Sequence, residues 1–247
     1  MEIDDAAAVV TGGGDGLGSV LSLRLASLGA HVVVADIDGD AASRTVADIH
    51  AAGGKASPAE LDVRDDAAVA ALVEEAAAAT PGGLRVWVNN AGGWTPGVDQ
   101  FPDAIASDWS RTLDLNLRAP MIAIQAARER LRDNGGGVVV NVASIAGSGS
   151  GAYGSPEYAA AKAGLIRLTS ALGGLAASDG IRVNCIVPDW IGLPRAYDEL
   201  AQMTDAERAA IPPLIPPDQV ADVVVGLIVD DRAVGRAVVL QKSRPRT

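Results

Sequence analysis

The stretch Thr11-Gly12-Gly13-Gly14-Asp15-Gly16-Leu17-Gly18 decides the fold, because it joins the apolar strand candidate Ala7–Val10 to the helix candidate Leu17–Leu28. Glycines let a backbone turn tightly and approach a ligand with no Cβ in the way. The helix that follows directs its N-terminal N–H groups at the same point, where a pyrophosphate is the natural occupant. Glycine clusters are common in loops, but this position between a first strand and a first helix predicts a dinucleotide site.

Outward from this loop, apolar runs alternate with amphipathic stretches. Val32-Val33-Val34 and Val138-Val139-Val140 are apolar on consecutive residues. Both faces of these strands are therefore expected to be buried, as in a parallel sheet covered by helices. The alternation predicts a doubly wound α/β fold in one domain, residues 1–247, with a parallel sheet of about seven strands and helices on both faces.

The predicted elements follow this rhythm along the chain. The predicted strands are Ala7–Val10, Val32–Ala35, Ala56–Leu61, Arg85–Asn89, Gly137–Val142, Ile181–Val187 and Arg236–Leu240. The predicted helices are Leu17–Leu28, Ala41–Ala52, Ala67–Ala79, Ser107–Arg132, Pro156–Ser178 and Pro217–Val229. The rhythm breaks at about residues 189–216, a proline-rich insert around a short helix candidate, Asp198–Ala210. Long irregular inserts are usually functional, so we expect a lid over a substrate.

Composition excludes several classes of protein. Hydrophobic residues make up 49% of the 247 residues, which excludes a disordered chain, and the formal net charge of -11 argues against nucleic acid or anionic membranes as partners. No apolar run is long enough to span a bilayer, and the N-terminus lacks the basic start of a secretory signal. The single cysteine, Cys185, excludes an intrachain disulfide, and two histidines leave little from which to build a metal site. A soluble, cytoplasmic protein is expected.

Asp36 ends the second predicted strand. A carboxylate at this position accepts hydrogen bonds from the adenosine ribose hydroxyls of NAD, and it would repel the 2′-phosphate of NADP. The first basic residue beyond it, Arg44, comes eight residues later. NAD is therefore favoured over NADP, although a surface aspartate in a turn is the simpler reading.

Tyr158 and Lys162 are four residues apart and so lie on one face of a predicted helix. The ammonium can favour the phenolate form of the tyrosine, which would make it a proton donor and acceptor usable near neutrality. By itself this spacing is more typical of a solvated helix face.

Several motifs in order resemble the short-chain dehydrogenase/reductase family. The glycine pattern spans Thr11 to Gly18, and the family's Asn-Asn-Ala-Gly motif is present at Asn89-Asn90-Ala91-Gly92. Asp62, Asn116 and Ser144 also match single family positions, with Ser144 fourteen residues before Tyr158. The resemblance runs from about residue 6 to Pro188 and implies a Rossmann fold.

The resemblance implies a catalytic set of Asn116, Ser144, Tyr158 and Lys162. Tyr158 would exchange a proton with the substrate oxygen, and Lys162 would lower its pKa and bind the nicotinamide ribose. Ser144 would stabilise the substrate oxygen, with Ser148 and Ser150 as competitors in the same loop. Asn116 would hold a water that links Lys162 to solvent, unless it is simply a polar residue inside a helix.

The cofactor site that follows from the loop and the resemblance is extensive. Its members are Gly12, Asp15, Gly16, Leu17, Gly18, Asp36, Ile37, Asp62, Val63, Asn90, Ala91, Gly92, Tyr158, Lys162, Pro188 and Ile191. The chain departs from the family after the sixth strand, where Asp189 replaces a glycine and no threonine follows; the backbone of Ile191 could serve instead. The family's C-terminal glycine pair is also missing, so the expected homotetramer leaves a dimer open.

Substrate signals are few. Trp94, Tyr153, Trp190 and Tyr197 fall in loops expected around the pocket, which suggests an apolar or ring-containing substrate or else ordinary loop packing. Arg195 is a lone candidate for an anionic group, with solvent exposure the expected fate. Three functions stay open: an NAD-dependent oxidoreductase that interconverts a secondary alcohol and a ketone, an NADP-dependent carbonyl or ketoacyl-type reductase, and a non-catalytic dinucleotide-binding regulator.

Overall fold

Seven parallel strands form a single sheet in the order β3-β2-β1-β4-β5-β6-β7 in this computed structural model, which describes residues 1–95, 97–149 and 151–241. The strands are β1 (Ala7–Thr11), β2 (His31–Asp36), β3 (Lys55–Glu60), β4 (Leu84–Asn89), β5 (Gly137–Val142), β6 (Ile181–Pro188) and β7 (Ala237–Leu240). The helices are α1 (Gly16–Ser27), α2 (Gly39–Ala51), α3 (Asp66–Ala78), α4 (Ala106–Leu113), α5 (Ala119–Asp133), α6 (Pro156–Ala171), α7 (Leu175–Ser178), α8 (Pro194–Gln202), α9 (Asp205–Ala210) and α10 (Pro217–Val229). The predicted doubly wound α/β fold is confirmed.

The consecutive valines serve two cores, one on each face of the sheet. Val32 and Val34 pack in a cluster with residues of α1, α2 and α10. Val33 lies in the opposite cluster with residues of α3 and α5. Because successive side chains of a strand point to opposite faces, a strand between two helical layers must be apolar at every position. The uninterrupted apolar runs follow from this arrangement.

The strand order reverses between β1 and β4, which are neighbours in the sheet although β2 and β3 lie between them in sequence. At such a reversal the connections leave the sheet in opposite directions and open a crevice at the carboxyl ends of the strands. Thr11 at the end of β1 and Asn89 at the end of β4 stand on either side of it.

Three helices that were predicted to be continuous are interrupted in the structure. The stretch 107–132 is divided by a π-helical segment, Asp114–Arg118, between α4 and α5. The stretch 156–178 is divided into α6 and α7. The lid candidate Asp198–Ala210 is two helices, α8 and α9, because Thr204 begins α9 with a capping box that includes Glu207.

The C-terminal end of α10 is tied to β6 by Arg182, which is buried. Its guanidinium donates to the carbonyl oxygens of Leu227 at 2.8 Å, Ala233 at 3.2 Å and Ile228 at 2.5 Å. Leu227 and Ile228 lie in the last turn of α10, where carbonyls have no partner further along the helix, so the arginine supplies hydrogen bonds that the helix end lacks. The Ala233 carbonyl oxygen lies beyond the helix and also accepts from the Asn184 amide nitrogen at 2.8 Å. Burial lowers the pKa of Arg182, while nearby Asp231 acts in the opposite direction.

The two outer strands of the sheet differ in chemistry. The strand β3 carries Lys55 and Pro58, both exposed. The strand β7 instead exposes the apolar side chain of Val239, with Val234 exposed just before it. Among the described residues, no helix combines the length and apolar content that a membrane span requires, and no cluster of three metal-binding side chains occurs.

Candidate active site

The hydroxyl of Thr11 joins the glycine loop to the loop after β4. Its Oγ1 accepts hydrogen bonds from the backbone N–H groups of Asn90 and Ala91, each at 3.1 Å, and donates to the Val88 carbonyl oxygen at 3.3 Å. The Asn90 amide nitrogen in turn donates to the carbonyl oxygens of Thr11 and Gly12, each at 2.9 Å. The Asn90 side chain, predicted to bind cofactor, therefore holds the two loops together. Sequence reasoning missed the anchoring role of Thr11.

The helix α1 begins immediately beneath the cleft. Asp15 caps it, since its carboxylate accepts from the Gly16 N–H at 2.7 Å. A Cβ on Gly18 would collide with the Gly12 carbonyl oxygen, so only glycine lets the helix approach the loop this closely. A Cβ on Gly16, by contrast, would meet only the Leu193 side chain at 3.7 Å, which leaves the helix N-terminus accessible from the cleft.

Asp36 lies at the carboxyl end of β2 and faces the glycine loop. Its two carboxylate oxygens accept from the Gly14 N–H at 2.9 Å and the Asp38 N–H at 3.1 Å. Ile37 beside it is 64% exposed, an apolar surface that can flank a ligand ring. Each carboxylate oxygen keeps capacity for a further donor, so Asp36 remains able to receive ribose hydroxyls.

Asp62 is occupied by a partner that the sequence reasoning did not foresee. Both carboxylate oxygens accept from the Arg64 guanidinium, at 2.5 to 3.0 Å. This pairing holds the pKa of Asp62 below its usual range. Val63, the other site residue predicted beyond β3, lines a small interior cavity rather than the main cleft.

Tyr158 and Lys162 both project from α6, as the spacing predicts. Lys162 is buried, and its Nζ donates to the Val142 carbonyl oxygen at 2.8 Å and lies 5.5 Å from the centre of the Tyr158 ring. Burial lowers the pKa of Lys162 to about 8. The ammonium thus lies over the tyrosine ring and bonds to strand β5.

The pKa of Tyr158 is raised to about 12, chiefly because the hydroxyl is desolvated, and the neighbouring Ser144 hydroxyl offsets part of the shift. The sequence reasoning predicted the opposite direction, from the charge of Lys162 alone. The prediction of a lowered pKa was wrong for this structure because desolvation outweighs the hydrogen bond of Ser144 and the charge of Arg195. The tyrosine therefore holds its proton at neutral pH.

Ser144 follows β5 and begins a single 3₁₀ turn, where its Oγ accepts from the Ala146 N–H at 3.2 Å. It lines the same cleft as Tyr158 and Lys162. Its competitor Ser148 is exposed and donates to the Ile145 carbonyl oxygen at 3.1 Å. Ser150, the other competitor, lies outside the described residues.

Asn116 is fully buried in the π-helical segment. Its amide nitrogen donates to the carbonyl oxygens of Gly93 and Thr112, each at 2.8 Å, and its Oδ1 accepts from the Gly93 N–H at 2.9 Å. A Cβ on Gly92 would lie 2.8 Å from Asn116 Oδ1 and 3.0 Å from Lys162 Nζ. Asn116 and Lys162 therefore meet at Gly92, and close packing there requires glycine.

Ser144, Tyr158 and Lys162 line a cleft of about 580 Å³, whereas Asn116, Asp36 and Asp62 are not among the residues that line it. One wall is aromatic: Trp94 meets Tyr153 edge-on at 6.4 Å between ring centres, and Tyr153 stacks on Tyr158 at 6.1 Å. The predicted residues that line the cleft are Gly12, Asp15, Gly16, Leu17, Asn90, Ala91, Gly92, Trp94, Ser144, Tyr153, Tyr158, Lys162, Pro188, Trp190 and Ile191. The glycine loop, the end of β5 and helix α6 thus converge on one space.

Some predicted site residues lie elsewhere. Tyr197 is 59% exposed and packs beside Gly192, outside the set of residues that line the cleft, so the pocket role predicted for it was wrong. The Ile191 carbonyl oxygen, which was expected to serve a ligand, already accepts from the Leu193 N–H at 2.8 Å. Residues that line the cleft without having been placed in the predicted site include Asp189, Leu193, Arg195 and Glu199.

The residues present fit a nicotinamide dinucleotide. The open N-terminus of α1 suits a pyrophosphate, and the Asp36 carboxylate suits ribose hydroxyls. The cleft continues from the glycine loop to Tyr158, so the far end of such a molecule would reach the Tyr158 hydroxyl.

Comparison with known proteins agrees with this arrangement. A family model described as short chain dehydrogenase matches residues 6–202. Cyclohexanol dehydrogenase of Acinetobacter sp. (strain SE19) is 36% identical over 227 residues, which is 91% of this chain and 88% of that protein. (3R)-3-hydroxyacyl-CoA dehydrogenase of Mus musculus is 34% identical over 242 residues, which is 94% of this chain and 92% of that protein.

Among solved structures, 7 alpha-hydroxysteroid dehydrogenase complexed with NADH and 7-oxo glycochenodeoxycholic acid superposes with a TM-score of 0.87 at 27% identity. The match covers 97% of this chain and 94% of that chain. The family match spans most of the sequence, and the same residues build the cleft. This chain belongs to the short-chain dehydrogenase family, whose members are oxidoreductases that bind nicotinamide dinucleotides.

Proposed function

We propose that this protein is an NAD-dependent oxidoreductase that interconverts a secondary alcohol and a ketone, with Tyr158 as general acid and base. The observation that carries the proposal is the convergence of Ser144, Tyr158 and Lys162 on the cleft that begins at the glycine loop. A non-catalytic dinucleotide-binding protein would have no need of these three side chains together.

Each residue has a role that follows from its surroundings. Tyr158, with a pKa raised to about 12, carries the proton that it donates to a ketone oxygen. In the reverse direction Tyr158 accepts the alcohol proton as the phenolate, after its own proton has passed to solvent. Ser144 donates a hydrogen bond to the same oxygen, where negative charge develops. When bound, the nicotinamide cofactor supplies or accepts the hydride.

Lys162 supports this chemistry by its position. Its bond to the Val142 carbonyl oxygen uses one of its three N–H groups, which leaves two for a ribose hydroxyl or a water. The Asn116 side chain hydrogen-bonds to the Gly93 backbone and so fixes the loop that lies between Asn116 and Lys162. We therefore propose that Lys162 binds the cofactor and that Asn116 positions the neighbouring loop. The water that would link Lys162 to solvent belongs to the same hypothesis.

The preference for NAD rests on Asp36. The Gly14 N–H holds its carboxylate at the loop, where a 2′-phosphate would meet a negative charge. Arg44, the nearest basic residue after Asp36 in sequence, is exposed on α2. In an NADP-dependent reductase this arginine would bind the 2′-phosphate. NADP is therefore the alternative cofactor.

The surrounding architecture is part of the proposal. Residues 189–216 would act as a lid, since α8 and the segment before it contribute Trp190, Leu193 and Arg195 to the cleft. The homotetramer implied by the family is supported by the exposed apolar side chains Val234 and Val239, and a dimer is the alternative. The cytoplasmic location expected from the sequence stays a prediction.

Replacing Tyr158 with Phe tests the mechanism. Cyclohexanol and related ring alcohols are the first substrates to assay, because a relative is a cyclohexanol dehydrogenase. With NAD, we expect kcat to fall by about 10²–10⁴ in Y158F, the usual contribution of general acid–base catalysis. Y197F is the matched control, because Tyr197 lies outside the cleft and should leave kcat unchanged.

Two outcomes would contradict the proposal. Turnover that survives in Y158F with an unchanged thermal midpoint would remove Tyr158 from the chemistry. Faster reaction with NADP than with NAD at equal concentration would reverse the cofactor assignment. Dinucleotide binding without turnover across a panel of secondary alcohols and ketones would favour the regulator.

A further inference from the structure

Arg195 stands where the catalytic cleft meets a second cavity. It lies in the first turn of α8, and its side chain lines both the cleft and a neighbouring cavity of about 560 Å³. Trp94, whose ring continues the aromatic wall toward Tyr158, lines both spaces as well. A substrate that reaches past the reacting carbon along this wall therefore meets the guanidinium next.

Arg195 is the one arginine among the described residues that line the cleft. The other cation there, Lys162, is buried and bonded to Val142, so it does not face the outer part of the cleft. Burial raises the pKa of Tyr153 and Tyr158, and the positive charge of Arg195 offsets a part of each rise, so the guanidinium lies near both hydroxyls.

The guanidinium is held by one edge. Its Nε donates to Glu199 Oε1 at 2.7 Å, an i,i+4 pair along α8. The two terminal nitrogens have no hydrogen-bond partner within the described part of the chain. Glu199 therefore fixes the plane of the guanidinium and leaves four N–H donors on its terminal nitrogens. Two of these, one on each nitrogen, can donate parallel hydrogen bonds to a carboxylate.

We propose that Arg195 binds a carboxylate on the substrate, so that the preferred substrates are hydroxy acids and keto acids whose carboxylate lies remote from the reacting carbon. This inference rests on the proposed function for the position of the reacting carbon. It adds the chemical class of the substrate and the residue that selects it.

The other charges of the cleft set the direction in which such a substrate enters. Asp189 lies at the end of β6 and lines the cleft, and Glu199 lies beside Arg195. A substrate carboxylate placed near Asp189 would meet a like charge. At Arg195 the like charge of Glu199 is already paired with the guanidinium, whose terminal N–H donors are unoccupied among the described residues. The charge pattern thus favours one orientation, with the hydroxyl at Tyr158 and the carboxylate toward the second cavity.

A binding experiment that needs no turnover tests the inference. Cyclohexanecarboxylate and its neutral isostere cyclohexanecarboxamide are titrated by calorimetry into the NADH-loaded protein at low ionic strength. We expect wild type to bind the carboxylate about tenfold more tightly, as a charge-assisted hydrogen-bond pair at a partly exposed arginine allows. R195M should abolish the preference, and R195K should retain part of it.

R208M is the matched control, because Arg208 is an exposed lid arginine on α9 that pairs with Asp205 and does not line the cleft. It removes the same charge and should keep the tenfold preference. Equal affinity of wild type for the two compounds, absence of binding of either, or a preference that persists in R195M would overturn the inference.

The two proposals fail separately. Turnover of cyclohexanol without any carboxylate preference would leave the oxidoreductase in place and remove the role of Arg195. A carboxylate preference that depends on Arg195, in a protein that oxidises no alcohol, would keep the role of Arg195 and remove the oxidoreductase.

Discussion

Replacing Thr11 with Val should loosen the cofactor loop as well as the fold. Valine has the same shape as threonine but cannot hydrogen-bond, so the N–H groups of Asn90 and Ala91 and the Val88 carbonyl oxygen each lose a partner. Thr11 is 3% exposed, which leaves water little access to replace those bonds.

The magnitude follows from these three groups. The Ala91 N–H is left unpaired, which costs about 1–3 kcal/mol, whereas the Asn90 N–H and the Val88 carbonyl oxygen keep the hydrogen bond that they make to each other at 3.1 Å. The hydrogen bonds that these two groups lose to Thr11 contribute about 0.5–1.5 kcal/mol each, and the extra buried methyl of valine offsets about 1 kcal/mol. We therefore expect T11V to lower the free energy of unfolding by about 2–4 kcal/mol.

Two assays separate the fold from the loop. Urea unfolding measures the free energy of unfolding, and titration of NADH fluorescence measures the dissociation constant of the cofactor. We expect T11V to weaken NADH binding about tenfold, because the glycine loop and residues 90–92 lose their common anchor.

Thr11→Ser is the control. It keeps the hydroxyl and removes only a methyl, which is worth about 1 kcal/mol, so it should leave the dissociation constant of NADH near that of wild type. The reasoning is refuted if T11V costs no more unfolding free energy than T11S, or if the two variants bind NADH equally well.

Two further variants test the buried cations. Because the pKa of Lys162 is lowered to about 8, the unfolded chain binds more protons than the folded chain between about pH 8 and 10.5, and stability rises with pH in that range. The free energy of unfolding of wild type should therefore increase by about 3 kcal/mol relative to that of K162M from about pH 8 to 10.5. Urea unfolding across that range measures the difference. A constant difference between the two proteins would contradict this. R182M should lower the free energy of unfolding by about 3 kcal/mol, since the carbonyl oxygens of Leu227 and Ile228 lose their donor and that of Ala233 keeps Asn184 alone. The exposed Arg236→Met should cost under about 1 kcal/mol. Equal losses in both variants would refute the role given to Arg182.

The parts of the molecule that the sequence predicted correctly are those set by local spacing. The Val32-Val33-Val34 run required a strand between two layers, and the glycine pattern required a loop against a helix. The i,i+4 spacing placed Tyr158 and Lys162 on one face of α6. In each case a few adjacent residues carry the whole signal.

What the sequence did not predict depends on partners far apart in the chain, or on burial. The pKa of Tyr158 rises because residues from several elements exclude water from its hydroxyl, and no spacing encodes that. Thr11 gains its role from backbone groups about eighty residues away.

Two other features of the insert had readable signals. Thr204 and Glu207 form the S/T-x-x-E pattern that begins a helix, which marks the boundary between α8 and α9. Arg195 and Glu199 stand at the i,i+4 spacing that orients a guanidinium along a helix. Both patterns were present in the insert, where the prolines drew the interpretation toward irregular structure.

The unlike edges of the sheet decide how copies of this protein can add to one another. A strand cannot pair along β3 without meeting Pro58, which has no N–H to offer, and the charge of Lys55. The apolar edge at β7 has no such barrier. Two molecules joined at β7 by a twofold axis would leave β3 at both outer ends, so growth of the sheet would stop at the pair and a fibre could not form by this route.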